Sequence, residues 1–343
     1  MGIFLLIFIV LFGVFRINLH DTKFTPHKMR MVQCNLTQTE KGNRELAKQN
    51  FWKHLGYSIS KDKLDFIVWP EASLPYLYNE RRADLQEAFQ AVLRPGVHLI
   101  LGAVREDLDT HEIYNSIVVV NHLGENVGCY DKIHLVPFGE YIPFRSFVPT
   151  PLQGIAADIG DFAVGKSPRV LEINGLKMAM AICYEAAFSM VAPSAFSAFP
   201  KCVRDVIAVS KLLQQEKMPV VQPPTVSLVI NVTNDAWFGP TSEPYQHLQI
   251  VRARAVELGV PLVRCTNYGI SAVFDPCGRE ICRIPMNSAG FVDFYIPEKL
   301  LGETPYKKYG DILFWLMILA VAGIVSYRQT KRLFHSPPSN AMR

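Results

Sequence analysis

Three segments of the sequence each end an apolar run with a side chain suited to chemistry. Glu71 follows FIVW in FIVWPE, Lys132 lies in YDKIHL, and Cys183 ends the run MAMAI in MAMAICYE. Open α/β sheets bind their ligands at the carboxyl ends of strands, so parallel strands would bring the three side chains together at one sheet edge. Each residue also has a plainer interpretation: Glu71 as a helix cap, Lys132 as a surface lysine and Cys183 as a buried core thiol.

Together the three side chains supply what a thiol nucleophile needs. The thiolate is the reactive form, and a free thiol is mostly protonated at neutral pH. A carboxylate within hydrogen-bond reach can take the proton, and a nearby ammonium group favours the anion. The same ammonium can stabilise the oxyanion that forms when a thiolate attacks a carbonyl. The set is therefore suited to covalent acyl chemistry with no metal and no cofactor.

Short β-rich runs alternate with longer mixed segments through the middle of the chain. The predicted strands are 29–35, 66–69, 98–104, 116–121, 177–182, 226–231, 262–266 and 272–275. The predicted helices are 38–55, 81–93 and 244–257. Strands separated by helices, together with a hairpin-like pair at 116–121 and 128–130, favour a mixed sheet covered by helices.

The two ends of the chain carry its longest apolar runs. Residues 1–15 and 312–327 contain no charged side chain, and each run is slightly shorter than the roughly 20 residues that span a bilayer unaided. A buried core helix is the alternative for either run. The first run lacks a basic segment at its amino end, and no small-residue cleavage site follows it, which favours an uncleaved membrane segment over a signal peptide.

Charge sets the expected topology. The tail 328–343 is basic and has no acidic residue, so the positive-inside rule places it in the cytoplasm and, with two membrane segments, places the middle domain outside the cytoplasm. We expect a membrane segment at 1–17, a catalytic domain at 28–298, a transmembrane helix at 309–327 and the cytoplasmic tail. The net charge of +4, without a basic run interleaved with aromatics, gives no indication of nucleic-acid binding.

The chain has seven cysteines, and an odd number outside the cytoplasm leaves at least one thiol free. No cysteine or histidine spacing fits a zinc site. Cys277 and Cys282 are close enough in sequence to pair on a hairpin, but the sequence leaves their pairing open.

Longer motifs make the sequence similar to a known family. VWPEASLP, YDKIHLVPFGEYIPFR, ICYE and NVTNDAWFGPTSEPYQH resemble the nitrilase, or carbon–nitrogen hydrolase, superfamily, whose members carry a Glu–Lys–Cys triad on an α-β-β-α sandwich. PFGEYIP, NDAWFG and QIVRARAVELGVPLVRCTNYGISAVFDPCG resemble its apolipoprotein N-acyltransferase branch. The resemblance covers about 29–297 and the last apolar run, and it implies a nitrilase-like α/β fold flanked by membrane helices.

The resemblance also implies residue roles. Glu71 is expected to be the general base, Lys132 the partner of the thiolate and the oxyanion, and Cys183 the nucleophile. Four further residues match positions that shape or support the family's site: Glu140, Tyr184, Glu185 and Trp237. The alternatives are a surface salt bridge for Glu140 and a core aromatic for Trp237.

The implied reaction moves an acyl chain from a membrane phospholipid to Cys183, and then to the N-terminal amine of a diacylglyceryl-modified apolipoprotein. A membrane-anchored amidase and an inactive remnant of the acyltransferase are the alternatives. Two departures from the family bear on this choice. Members carry several membrane helices before the catalytic domain, so 1–17 is expected to be a truncated last helix. The proline-rich stretch 189–225 is longer than expected and is interpreted as a lid or surface insertion.

Overall fold

The computed structural model describes residues 2–43, 45–143, 161–166, 170–188 and 226–334. The predicted insertion at 189–225 lies outside the described residues. The chain divides into two units, one formed by 1–190 and 223–302 and the other by 191–222 and 303–343.

Two six-stranded mixed sheets form the first unit. The first sheet has the order β12-β1-β2-β3-β4-β5, and the second has the order β11-β10-β9-β8-β7-β6. The strands are β1 (Phe24–Gln33), β2 (Phe66–Val68), β3 (His98–Glu106), β4 (Ile113–Val120), β5 (Asn126–Asp131), β6 (Val170–Ile173), β7 (Leu176–Ile182), β8 (Leu228–Thr233), β9 (Leu262–Thr266), β10 (Ser271–Phe274), β11 (Glu280–Ile284) and β12 (Gly290–Pro297). In the first sheet β1, β2 and β3 are parallel, and in the second sheet β7, β8 and β9 are parallel. The other neighbouring strands pair in antiparallel orientation.

Helices cover the outer faces of the two sheets. The described helices of this unit are α1 (Gly2–Leu19), α2 (Gln38–Gly42), α3 (Ala47–Ser58), α4 (Arg82–Val92) and α5 (Glu243–Leu258), with short 3₁₀ turns at Cys183–Ala187 and Asp235–Phe238. Side chains of α3 and α4, such as Phe51 and Phe89, share a core with the outer face of the first sheet. The second unit has α6 (Pro305–Tyr309) and α7 (Ile312–Phe334).

The main core lies between the two sheets. Met29, Phe66 and Ile117 of the first sheet belong to the same buried cluster as Met180 and Ile230 of the second. Strands covered on both faces are largely apolar, which is why β4, β8 and β9 show no regular alternation of apolar and polar side chains in the sequence.

The predicted helix at 38–55 is wrong as a single element. Thr37 and Glu40 form a capping box that starts α2, but α2 ends at Gly42 and the backbone of Asn43 is extended. A new helix begins at Ala47. The break follows from glycine and asparagine, which are poor helix formers and common at helix ends.

The two terminal apolar runs form α1 and α7. Within the described part of the chain, however, no helix is long and apolar enough to cross a membrane, and the two predicted membrane-spanning helices are not confirmed. The carboxyl end of α1 is fixed to the first unit, because the Arg16 guanidinium donates to the carbonyl oxygen of Val256 at 2.7 Å and Arg279 donates to the carbonyl oxygen of Ile17.

Candidate active site

Glu71 lies just beyond β2, at the carboxyl end of the parallel part of the first sheet. The backbone turns sharply there, and Ala72 has a positive φ of 43°. Gly102 of β3 lies directly against this turn: its N–H donates to the Pro70 carbonyl oxygen at 3.2 Å, and its carbonyl oxygen accepts from the N–H of Ser73 at 2.8 Å. A β-carbon at Gly102 would lie 2.5 Å from the Cα of Glu71. The position of Glu71 therefore depends on a glycine in the neighbouring strand.

Replacing Gly102 with alanine is expected to displace Glu71. Such an added methyl group in a closely packed site costs about 1–3 kcal/mol, and a displacement of about 1 Å at a reacting group can lower a rate about 100-fold. The measurements are the catalytic rate and the thermal unfolding midpoint. Gly56→Ala in α3 is the matched control, because a β-carbon there would meet nothing within 4 Å. Wild-type activity in Gly102→Ala would contradict this account of the turn.

Lys132 follows β5 and is buried, with 1% of its side chain exposed. Its Nζ donates to Oε1 of Glu140 at 2.8 Å and lies 3.6 Å from Oε1 of Glu71. Burial alone would lower the pKa of Lys132, but its electrostatic interactions with Glu71, Cys183 and Glu140 outweigh that effect and raise the pKa well above the usual value. Lys132 is therefore a permanent cation between two carboxylates.

The side chain of Asn115 in β4 donates hydrogen bonds to both carboxylates. Its Nδ2 donates to Oε1 of Glu71 and to Oε1 of Glu140, both at 2.8 Å. Its main-chain carbonyl oxygen accepts from the N–H of Lys132 at 2.8 Å. Asn115 thus fixes the two acids and the lysine in one hydrogen-bonded cluster.

Cys183 begins a 3₁₀ turn directly after β7 and has a positive φ of 54°. A positive φ is uncommon for a residue with a side chain and marks a sharp strand-to-turn connection. Burial is the largest effect on the thiol and raises its pKa to about 12; Glu71 and Asp235 act in the same direction, while Lys132 and a hydrogen bond with Thr233 oppose it. The resting thiol is therefore protonated at neutral pH, so attack requires a base.

A buried polar network lies under this turn in the second sheet. Nδ2 of Asn231 donates to the carbonyl oxygen of Cys183 at 3.1 Å, and its Oδ1 accepts from Arg264 at 3.0 Å. The other guanidinium nitrogen of Arg264 donates to Asp235 at 2.5 Å, and Asp235 also contacts Nδ1 of His247 at 3.1 Å. The pKa of Asp235 is lowered, because Arg264 and His247 outweigh the effect of burial. The network is positioned to hold the strained Cys183 backbone in place.

Glu185 connects the two sheets rather than lining an open surface. It is fully buried and accepts hydrogen bonds from the hydroxyl of Tyr130 at 2.9 Å and from the N–H groups of Ile133 at 2.8 Å and Ile182 at 2.8 Å. Ile182 precedes the candidate nucleophile, and Ile133 follows Lys132. One carboxylate thus fixes the distance between the chain segments that carry these two groups.

Tyr184 and Trp237 lie nearer the solvent. The Tyr184 hydroxyl donates to the carbonyl oxygen of Leu135 at 2.8 Å, and Nζ of Lys132 lies 5.7 Å from the centre of its ring. Trp237, in the 3₁₀ turn after β8, has 67% of its surface exposed and is not a core aromatic.

The structure corrects one step of the sequence argument. Glu71 and Lys132 come from the first sheet, but Cys183 follows β7 in the second, so they do not meet at one sheet edge. The two sheets face each other, and the strand ends approach across the core. The six described cysteines are free thiols, including Cys277 and Cys282.

Sequence reasoning missed Asn115, Asn231 and Arg264, although each left a signal. All three are polar residues inside apolar strands, IYNSIVVV, LVINVT and LVRCT. A buried polar side chain is costly unless it is hydrogen-bonded, so a polar residue in such a run indicates a partner. The sequence alone does not show that the partner is the site.

Comparison with known proteins identifies the family. The family model described as carbon–nitrogen hydrolase matches residues 28–193 and 212–306, more than half of the chain. This chain belongs to the carbon–nitrogen hydrolase family. It is therefore related to enzymes that act on carbon–nitrogen bonds, and the predicted Glu–Lys–Cys arrangement falls within the matched residues.

Two curated relatives are named apolipoprotein N-acyltransferase. The protein from Rickettsia bellii is 34% identical over 334 residues, which cover 96% of this chain and 60% of that protein. The protein from Bradyrhizobium diazoefficiens is 33% identical over 345 residues, which cover 96% of this chain and 59% of that protein. This carbon–nitrogen hydrolase chain thus spans about 60% of the length of these relatives.

Solved structures agree on the fold. A carbon–nitrogen hydrolase superfamily protein from Xanthomonas campestris, with an arsenic adduct in its active site, has a TM-score of 0.51 at 15% identity and covers 81% of this chain and 91% of its own. A glutamine-dependent NAD⁺ synthetase from Acinetobacter baumannii has a TM-score of 0.50 at 18% identity. The match covers 81% of this chain and 48% of the synthetase chain. At these identities the likeness concerns the fold alone, and it confirms the predicted nitrilase-like α/β sandwich.

Proposed function

We propose that this chain transfers an acyl group from a membrane phospholipid, through a thioester on Cys183, to the N-terminal amine of a diacylglyceryl-modified apolipoprotein. The observation that carries the proposal is the buried cluster in which Lys132 lies between Glu71 and Glu140 and interacts electrostatically with the Cys183 thiol. The names of the curated relatives supply the substrate class.

The first half-reaction begins with a protonated thiol. Glu71 takes the thiol proton as the sulfur attacks the ester carbonyl carbon of the phospholipid, and an S–C bond forms. The Lys132 ammonium stabilises the resulting oxyanion. The C–O bond to the glycerol then breaks, and Glu71 returns the proton to that oxygen. The products are a thioester on Cys183 and a lysophospholipid.

The second half-reaction uses the same groups in the same order. The neutral α-amine of the acceptor attacks the thioester carbon, and Glu71 takes the proton that the nitrogen loses. The oxyanion again forms beside Lys132. The C–S bond breaks, the thiol regains its proton from Glu71, and the acceptor leaves with an amide. Glu140 and Asn115 keep Lys132 and Glu71 in position through both halves.

The substrates of this reaction are held in a bilayer, and α1 and α7 suit contact with lipid. Large apolar side chains along α1 are exposed, including Phe4, Phe8 and Leu11, and the same is true of Trp315 and Leu319 in α7. Exposed apolar surface of this extent is typical of a partner or membrane contact. We place the catalytic domain 28–298 on the periplasmic face of the bacterial inner membrane, with Trp237 beside the acyl chain.

Transfer to an acceptor amine tests this function. The chain in detergent is given a phospholipid with a labelled acyl chain and a diacylglyceryl-cysteine peptide with a free amine. The expected product is the peptide with one labelled acyl group in amide linkage. A peptide with a blocked amine is the control and should gain no label. Release of labelled fatty acid instead would favour a hydrolase, and no turnover by folded protein would favour an inactive remnant.

A further inference from the structure

A second lysine reaches the candidate active site from α2. Nζ of Lys41 donates to the main-chain carbonyl oxygen of Glu71 at 2.9 Å. The capping box of Thr37 and Glu40 fixes the start of α2, because the Glu40 N–H donates to Oγ1 of Thr37 at 3.3 Å and the Thr37 N–H donates to Oε2 of Glu40 at 2.8 Å. The side chain of Lys41 therefore leaves a defined turn and ends beside the candidate base.

The candidate site has an excess negative charge that a second cation offsets. Glu71 and Glu140 carry two negative charges and Lys132 one positive charge, so the cluster has an excess negative charge before a thiolate forms. Glu71 raises the pKa of the Cys183 thiol for this reason. Lys41 interacts electrostatically with both Glu71 and Cys183. Its hydrogen bond goes to a main-chain oxygen, and among the described residues it forms no ion pair with a carboxylate, so its charge remains available to the site.

The protonation of Lys41 changes near neutral pH. Burial is the largest effect and lowers the pKa of Lys41 to about 8, while Glu71 and Cys183 oppose it. The neighbouring His54 has a pKa lowered to about 4 by burial, with a smaller effect of Lys41, and so it is neutral at pH 7. The charges of Lys132 and Asp235 also act on the thiol, the first lowering its pKa and the second raising it. Below pH 8 Lys41 therefore adds a second positive charge, beside that of Lys132, near Glu71 and Cys183.

We propose that Lys41 is a positioning residue of the acyl-transfer site, which holds the Glu71 main chain and supplies the second positive charge that favours the Cys183 thiolate. This inference rests on the proposed role of Cys183 as the nucleophile. It concerns a residue outside the Glu–Lys–Cys triad, on a short helix that precedes the first triad residue by 30 positions.

The test follows alkylation of Cys183 by iodoacetamide from pH 6 to pH 10. Trypsin cleavage after Lys177 and Lys201 gives a peptide, 178–201, in which Cys183 is the only cysteine, so its labelling can be measured by mass spectrometry. Lys41→Gln keeps an N–H donor for the Glu71 carbonyl oxygen and removes the charge. We expect alkylation in Lys41→Gln to be about tenfold slower than in wild type below pH 8, which corresponds to a rise of about one unit in the thiol pKa. The ratio of the wild-type alkylation rate to that of Lys41→Gln should approach one above pH 8, where wild-type Lys41 loses its proton.

Two further variants make the test specific. Lys41→Arg keeps the positive charge at every pH used. Cys183 in this variant should therefore be alkylated at the wild-type rate below pH 8 and faster than in wild type above pH 8. Lys53→Gln is the matched control, because Lys53 also donates to a main-chain carbonyl oxygen, that of Cys34 at 2.7 Å. Equal pH profiles for wild type, Lys41→Gln and Lys41→Arg would overturn the proposal. If Lys41→Gln does not fold, the Lys41→Arg profile above pH 8 decides alone.

This assay needs no acyl substrate, so it separates the two proposals. A Lys41-dependent profile without any acyl transfer would keep the electrostatic role and reject the acyltransferase. Acyl transfer together with an alkylation profile that does not depend on Lys41 would keep the acyltransferase and reject the electrostatic role of Lys41.

Discussion

Lys132→Met is expected to lower the rate of thioester formation about 10²–10³-fold and to destabilise the protein by about 3–5 kcal/mol. The rate falls because the oxyanion loses its cation. Stability falls because Glu71 and Glu140 remain buried without the ammonium that lies between them. The measurements are single-turnover acylation by labelled phospholipid and the free energy of unfolding in urea.

The stability effect has a defined pH dependence. The pKa of Lys132 is raised in the folded state, so its stabilising contribution is fully present below the unfolded value near 10.5 and is lost as the pH rises through the higher folded value. The difference between wild type and Lys132→Met should therefore be constant from pH 7 to pH 9. Lys166→Met is the control, because Lys166 is exposed and lies 3.9 Å from Glu112. Equal stability of Lys132→Met and Lys166→Met would contradict the buried cluster.

Glu71→Gln is expected to lower acyl transfer about 10²–10⁴-fold, which is the usual contribution of a positioned general base. The amide keeps an oxygen that can accept from Nδ2 of Asn115, so the cluster should stay folded. It cannot take the thiol proton. The measurement is the single-turnover rate at pH 7 to pH 9, with Glu112→Gln on the surface as control.

Glu71→Gln should also separate two properties of Cys183. The Glu71 charge raises the pKa of the thiol, so its removal should make Cys183 more reactive towards iodoacetamide. Slower acylation with faster alkylation is the expected combination, because only acylation needs the base. A parallel fall of both rates would indicate a displaced thiol and would contradict the assignment of Glu71 as base.

Two of the three candidate triad residues, Glu71 and Cys183, could be singled out from the sequence because each follows the end of an apolar run. Such runs are local signals: FIVW before Pro70 and Glu71, and MAMAI before Cys183, predict strands whose ends are accessible. The central parallel strands of both sheets were predicted for the same reason. The longer motifs added the α-β-β-α arrangement, which periodicity alone does not supply.

Non-local pairing explains most of what the sequence could not supply. Nothing local indicates that Cys183 lies in a different sheet from Lys132, or that Glu185 bridges the two strand ends. The role proposed for Lys41 was also out of reach, because a single helix over 38–55 gives no sign that α2 ends at Gly42 and points a lysine at Glu71. Such contacts depend on tertiary packing, which overrides local propensity.

Capture of the thioester tests the central claim most directly. The purified chain in detergent is mixed with a phospholipid that has a labelled acyl chain, without acceptor, and its intact mass is measured with the Cys183→Ala variant in parallel. We predict a gain of one acyl group that hydroxylamine removes and that Cys183→Ala does not show. Folded wild-type protein that gains no acyl group, or equal labelling of Cys183→Ala, would contradict the proposal that this chain forms an acyl-thioester on Cys183.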